Sequence, residues 1–139
     1  MQMLVLSGDA VRAVLGYASC ADAMRTVLAA RARGEVFQPL RSVLKPDGAT
    51  GLMALMPSYQ AGAGYALKAI CIVPGNPATG LDSHQGIVLL SSQDTGQPLA
   101  VLNASAVTGF VSTHAKSSRL RLAVSLPVTT TIGMLRAVW

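Results

Sequence analysis

Two cysteines, two histidines, one tryptophan and only six carboxylates are few for 139 residues, and each shortage closes off a class of function. Cys20 and Cys71 fall in different expected elements, with no CxxC and no ladder of spacings, which argues against both a disulfide framework and a zinc site. His84 and His114 have no partner at metal-ligand spacing, so no metal is expected. No Ser/His/Asp arrangement is recognisable either. Ser83 and His84 are neighbours, and in a strand neighbours point to opposite faces. The start MQMLVLSGDA lacks the basic segment of a secretory leader. The longest strongly apolar run, residues 122–135, is too short to span a bilayer and contains Pro127 and Gly133. A soluble, cytoplasmic protein with no membrane partner is the expectation.

What is abundant is apolar side chain, 51% of the chain, enough for a single packed core. The net charge of +5 suggests nucleic acid until it is divided along the chain. Residues 1–110 carry seven Lys/Arg against six Asp/Glu, so the excess lies in Lys116, Arg119, Arg121 and Arg136. No aromatic interleaves those four before Trp139, and no nucleic-acid partner is expected.

Met3 to Leu6 reads as a strand, after which Ser7 can cap a helix that Gly16 ends. Ser19 with Asp22 three residues on suggests the cap of a second helix, with Arg31 and Arg33 at its carbonyl end and Gly34 as the stop. From Val36 the pattern turns to strands: Pro39 to Leu44, a turn at Pro46, Asp47 and Gly48, and Thr50 to Met56 closed by Pro57. Tyr65 to Val73, Gly86 to Ser92 and Pro98 to Leu102 follow, separated by the loop Pro74 to Leu81 and the turn Asp94, Thr95, Gly96. The expected fold class is α+β, with N-terminal helices packed on a largely antiparallel sheet.

Within that run the strand YALKAICIV is apolar on both faces except at Lys68. A strand lysine is commonly a solvated edge residue. Held among apolar neighbours, its ammonium would instead be desolvated and would gain by pairing with the carboxylate of a small amino or keto acid. Gly62, Gly64 and Asp82 imitate a dinucleotide fingerprint, but Leu67 stands where a third glycine belongs, and the glycines open a strand where the fingerprint needs a helix. No Rossmann domain is expected in this chain.

The segments PLRSVL, LMALMP, YALKAICIVPGNPATGLDSHQGIVLL, TGQPLAVL and NASAVTGF resemble the N-terminal half of the ornithine cyclodeaminase and mu-crystallin family over roughly residues 3–110. The resemblance implies a substrate-binding and dimerising domain over residues 1–110, a homodimer or self-associating fragment, and NAD or NADP bound elsewhere in the complete family protein. It assigns Arg41 and Lys68 to holding the substrate carboxylate, a role their chemistry suits. It places Ser83 and Asn76 near the cofactor, although turn chemistry explains Asn76 equally well. Such proteins oxidise an amino acid to an imine or reduce a cyclic ketimine; a non-catalytic small-ligand binding protein of mu-crystallin type is the alternative.

Three departures point away from activity. The family continues from the equivalent of Thr108, Gly109 and Phe110 into an Arg-Thr-Ala-Ala helix, where this chain has Val111, Ser112, Thr113 and His114. An acidic residue of some members is Ala54 here, and the nucleotide domain is missing. Residues 111–139 read as a basic tail of atypical sequence, as from a frameshift, an alternative reading or a truncated gene. The chain is therefore expected to bind neither NADH nor NADPH, and a micromolar constant in a calorimetric titration with either would overturn that expectation.

Overall fold

The computed structural model describes residues 3–109. Strand β1, Leu4–Leu6, leads through Ser7 into helix α1, Gly8–Val14. The Ser7 hydroxyl accepts from the Ala10 N–H at 3.2 Å, a cap contributing about 1 kcal/mol. Helix α2, Tyr17–Ala32, then begins three residues earlier than a Ser19 cap suggests. Leu15 is buried in the core and donates its N–H to the Val11 carbonyl, so the chain turns at that corner. Gly16, extended at φ −85° and ψ 154°, becomes the cap of α2 and not merely the end of α1, and its carbonyl accepts from Cys20 N–H. Asp22, inside the helix, pairs with Arg25 at 2.6 Å instead of capping.

The far end of α2 follows expectation. Gly34 sits at φ +77°, donates to the Arg31 carbonyl, and Glu35 donates back to Ala30, closing the carbonyl end as a Schellman turn. Arg33 pairs through two hydrogen bonds with Glu35, at 2.6 and 2.8 Å.

Five elements of the sheet follow: β2 (Val36–Phe37), β3 (Ser42–Leu44), β4 (Leu52–Gln60), β5 (Gly64–Ile72) and β6 (His84–Ser91). With β7 (Pro98–Asn103) and β1 they form one sheet in the order β1-β7-β6-β5-β4-β2, with β3 also on β4. Every pairing is antiparallel except β1 with β7. A final helical segment, α3, occupies residues 104–109. Asn103 caps it, its side-chain oxygen accepting from Ala106 N–H at 2.9 Å.

Pro57 does not close β4. The strand continues three residues past it because Pro57 needs no partner on the side away from β5: β3 pairs only as far as Leu55, and β2 begins at Tyr59. A proline in that gap costs no ladder bond.

Residues opposite one another share a face, so Ala54, Met56, Ala66, Ile70, Val88, Leu90, Ala100 and Leu102 all lie on one side of the sheet, and all are buried. Val11, Leu15, Cys20 and Ala23 of the N-terminal helices and Ala104, Ala106 and Val107 of α3 complete this core. Val88 is fully buried, worth about 1.5 to 3 kcal/mol by area. The other face carries Phe37, Tyr59, Tyr65, Leu67, Leu89 and Val101, and among the described residues no helix covers it. Gly86, in the GLDSHQG block, lets β6 approach β5 closely: a Cβ there would meet the Ala69 carbonyl and come within 2.7 Å of the Ile70 Cα. No helix of the described residues is long and apolar enough to cross a membrane.

Candidate functional site

Lys68 is the middle residue of β5, paired with Met56 on one side and Val88 on the other, and so it stands on the core face between Ala66 and Ile70. Its strand is central to the sheet. The edge reading of this lysine is thereby ruled out by position. The ammonium leaves the sheet toward α3, where Nζ donates to Thr108 Oγ1 at 2.9 Å. The Thr108 hydroxyl in turn donates to the Ala104 carbonyl at 2.7 Å, which fixes its lone pairs toward the lysine. No carboxylate among the described residues forms an ion pair with Lys68.

Arg41 immediately precedes β3. Ser42 lies opposite Leu55, so continuing the antiparallel register by one residue sets Arg41 across from Met56, whose other neighbour is Lys68. On that continuation the two cations would stand either side of Met56, their backbones about 10 Å apart across two strand spacings. Burial first, and the positive charge of Arg41 second, lower the pKa of Lys68 from its ordinary value. Arg12 pairs with Asp9, Arg25 with Asp22 and Arg33 with Glu35.

Ser83 and Asn76 lie elsewhere, in the loop between β5 and β6, whose 3-10 turn spans Asn76–Thr79. His84 pairs with Ile72, four residues along β5 from Lys68, which puts this loop about 13 Å along the strand from the lysine. The Asn76 side-chain amide donates to the Asp82 carbonyl at 3.0 Å, and the Asn76 backbone carbonyl accepts from Thr79 Oγ1 at 2.8 Å, so Asn76 staples the loop. Ser83 precedes β6 rather than lying in it. Freed from strand alternation, its hydroxyl meets His84 Nδ1 at 3.0 Å, contrary to the opposite-face expectation.

Sequence reasoning missed Thr108 as a partner of Lys68. Forty residues separate them, and only the folded sheet brings α3 across β5. The readable signal was Asn103 before an alanine-rich run, a helix cap. Ser105, one turn earlier on α3, donates to the His84 carbonyl, so a single helical turn links the lysine to the start of β6.

A family model described as ornithine cyclodeaminase/mu-crystallin matches residues 1–118. The chain belongs to this family. An alanine dehydrogenase of Archaeoglobus fulgidus is 30% identical over 109 residues, 78% of this chain and 33% of that protein. A delta(1)-pyrroline-2-carboxylate reductase of Bacillus cereus is 30% identical over 107 residues, 76% of this chain and 33% of that protein. The chain thus spans about a third of the length of these curated relatives. Among solved structures, an archaeal alanine dehydrogenase dimer with bound NAD superposes at a TM-score of 0.72 with 25% identity, covering 100% of this chain and 46% of that one. The Thermococcus litoralis delta(1)-pyrroline-2-carboxylate reductase, solved with NADH and L-proline, gives 0.73 with 23% identity, covering 98% and 46%, which establishes likeness of fold.

The lowered pKa of Lys68 has a sign that can be checked. An unfolded chain keeps this proton up to the ordinary value of 10.5, whereas the folded chain releases it earlier. Below the lowered value Lys68 is charged in both states and the full desolvation cost stands; between that value and 10.5, folding stability rises with pH. Lys68→Met keeps the stem and removes the charge. Urea unfolding is expected to find the methionine variant the more stable at about pH 7, with the gap narrowing as the pH rises toward 10.5. A gap that does not change with pH would show that burial does not penalise the charge.

Proposed function

We propose that this chain supplies the carboxylate-holding wall of a small amino-acid or keto-acid site, with Arg41 and Lys68 as the substrate-binding pair, within a family of NAD(P)-dependent oxidoreductases and cyclodeaminases. The observation that carries the reading is that Lys68 stands on the core face within the field of Arg41 while no described carboxylate pairs with Lys68. A guanidinium fork and an ammonium neutralise one carboxylate from two sides. Thr108 orients the ammonium, and Met56 with Val88 forms an apolar floor.

The nicotinamide of the family would supply hydride chemistry when bound. The described residues do not fit a dinucleotide's pyrophosphate: Gly62 and Gly64 build the turn between β4 and β5, both with positive φ, and introduce no helix. We therefore derive no step through it, and propose that Ser83 and Asn76 only border the cofactor's place in a complete family protein. A carboxylate grip that needs no nicotinamide also supports the second reading, a non-catalytic binder of small acids.

NMR titration with proline, ornithine and pyruvate tests the site. Millimolar affinity at best, on the order of 4 kcal/mol, is expected, with shifts at Arg41 and Lys68 that disappear in Lys68→Met. Shifts that persist unchanged in that variant would make the lysine structural and the assignment wrong.

We also propose that a second copy of the chain covers the face bearing Phe37, Tyr59, Tyr65, Leu67, Leu89 and Val101, as supported by its apolar character and by the dimeric state of the archaeal alanine dehydrogenase. Light scattering is expected to give the mass of at least two chains, and Leu67→Lys to lower it. A stable monomer at working concentration would refute this.

A further inference from the structure

The Lys68 amine is placed for more than charge. It projects from the core face of a central strand between Met56 and Val88, beside a second cation, and among the described residues Thr108 is its one hydrogen-bond partner. These are the two conditions that turn a lysine into a nucleophile: an apolar surrounding and a cationic neighbour, each favouring the neutral amine. The direction of its pKa agrees.

We propose that Lys68 forms a reversible imine with a 2-oxo acid whose carboxylate is held by Arg41. This deepens the substrate-binding reading above and rests on it. The carbonyl carbon of a 2-oxo acid is bonded directly to the carboxylate carbon, so a carboxylate anchored by Arg41 presents that carbon on the side where Lys68 stands. Thr108 takes one N–H of the neutral amine, because its own hydroxyl proton is committed to the Ala104 carbonyl, and the nitrogen lone pair is left to attack. The C–N bond forms as the carbonyl π bond breaks. The two amine protons leave with the carbonyl oxygen as water, and the product is a neutral C=N bond to Lys68 with the carboxylate unchanged; no oxidant or reductant is consumed.

Pyruvate with sodium cyanoborohydride, a hydride donor that reduces imines, converts this adduct to a stable secondary amine. The expected result on the whole chain is a mass gain of one pyruvate less one oxygen atom, mapped by peptide mass spectrometry to Lys68 in preference to exposed Lys45. Acetone, which offers a carbonyl without a carboxylate, should label Lys68 far less. Labelling at that site should disappear in Lys68→Met and fall at least severalfold in Arg41→Met, whose lysine remains available. If pyruvate shifts the resonances of Arg41 and Lys68 but leaves Lys68 unlabelled, or labels it no more than Lys45, the imine is refuted while the carboxylate site stands. If pyruvate neither shifts nor labels them, both fall together. Equal labelling by acetone and pyruvate would also overturn the proposal, since the carboxylate would then play no part.

Discussion

A cation on the inner face of a central strand is the constraint around which this molecule is arranged. Transfer of an ammonium from water to an apolar wall is costly, and an isolated charge commonly responds by giving up its proton. Lys68 meets that cost with one neutral hydroxyl, that of Thr108, while Arg41 adds repulsion instead of relief. A core selected only for stability would place an aliphatic residue between Met56 and Val88. The fold instead fixes β4, β5 and β6 in long continuous registers around the lysine, so its backbone cannot shift to carry the charge to water.

Continuous register also explains where the chain tolerates residues that strands ordinarily reject. Pro57 sits where β4 has lost β3 and not yet gained β2. Gly86 sits where β6 runs tight against β5, and a side chain there would meet backbone on the partner strand. Both preserve the pairing of Lys68 with Met56 and Val88, one from each side of β5.

Much of this was legible because it is local. The Ser7 cap, the Gly34 stop and the turn at Pro46 to Gly48 each depend on a few adjacent residues whose backbone preferences agree with the fold. The alternation of YALKAICIV placed Lys68 on the same face as Ala66 and Ile70, as found. The start of α2 misled because Ser19 and Asp22 satisfy a local capping pattern that loses to the burial of Leu15 one turn earlier. Pro57 misled because strand termination depends on a neighbour twenty residues away in sequence. For the site, residue chemistry marked Lys68 and resemblance marked Arg41. The influence of Arg41 on Lys68 arises only in the folded sheet, and Thr108 reaches the lysine only through tertiary packing. The atypical residues 111–139 lie outside the described structure.

The same face of β4 shows that the polar character of the site extends beyond the two cations. Ala54 and Met56 are apolar, but the next two inward residues are Ser58 and Gln60, both buried. Gln38, one step past β2, continues the register opposite Ser58. The Ser58 hydroxyl oxygen and the side-chain carbonyl oxygens of Gln38 and Gln60 are all buried without a hydrogen-bond partner among the described residues. Each such oxygen costs about 1 to 3 kcal/mol relative to a satisfied one. A row of buried acceptors begins, therefore, two residues along β4 from Met56, the partner of Lys68. Lys68 and unsatisfied neutral oxygens thus share one inner face of the sheet, where a polar group could meet both a cation and an acceptor.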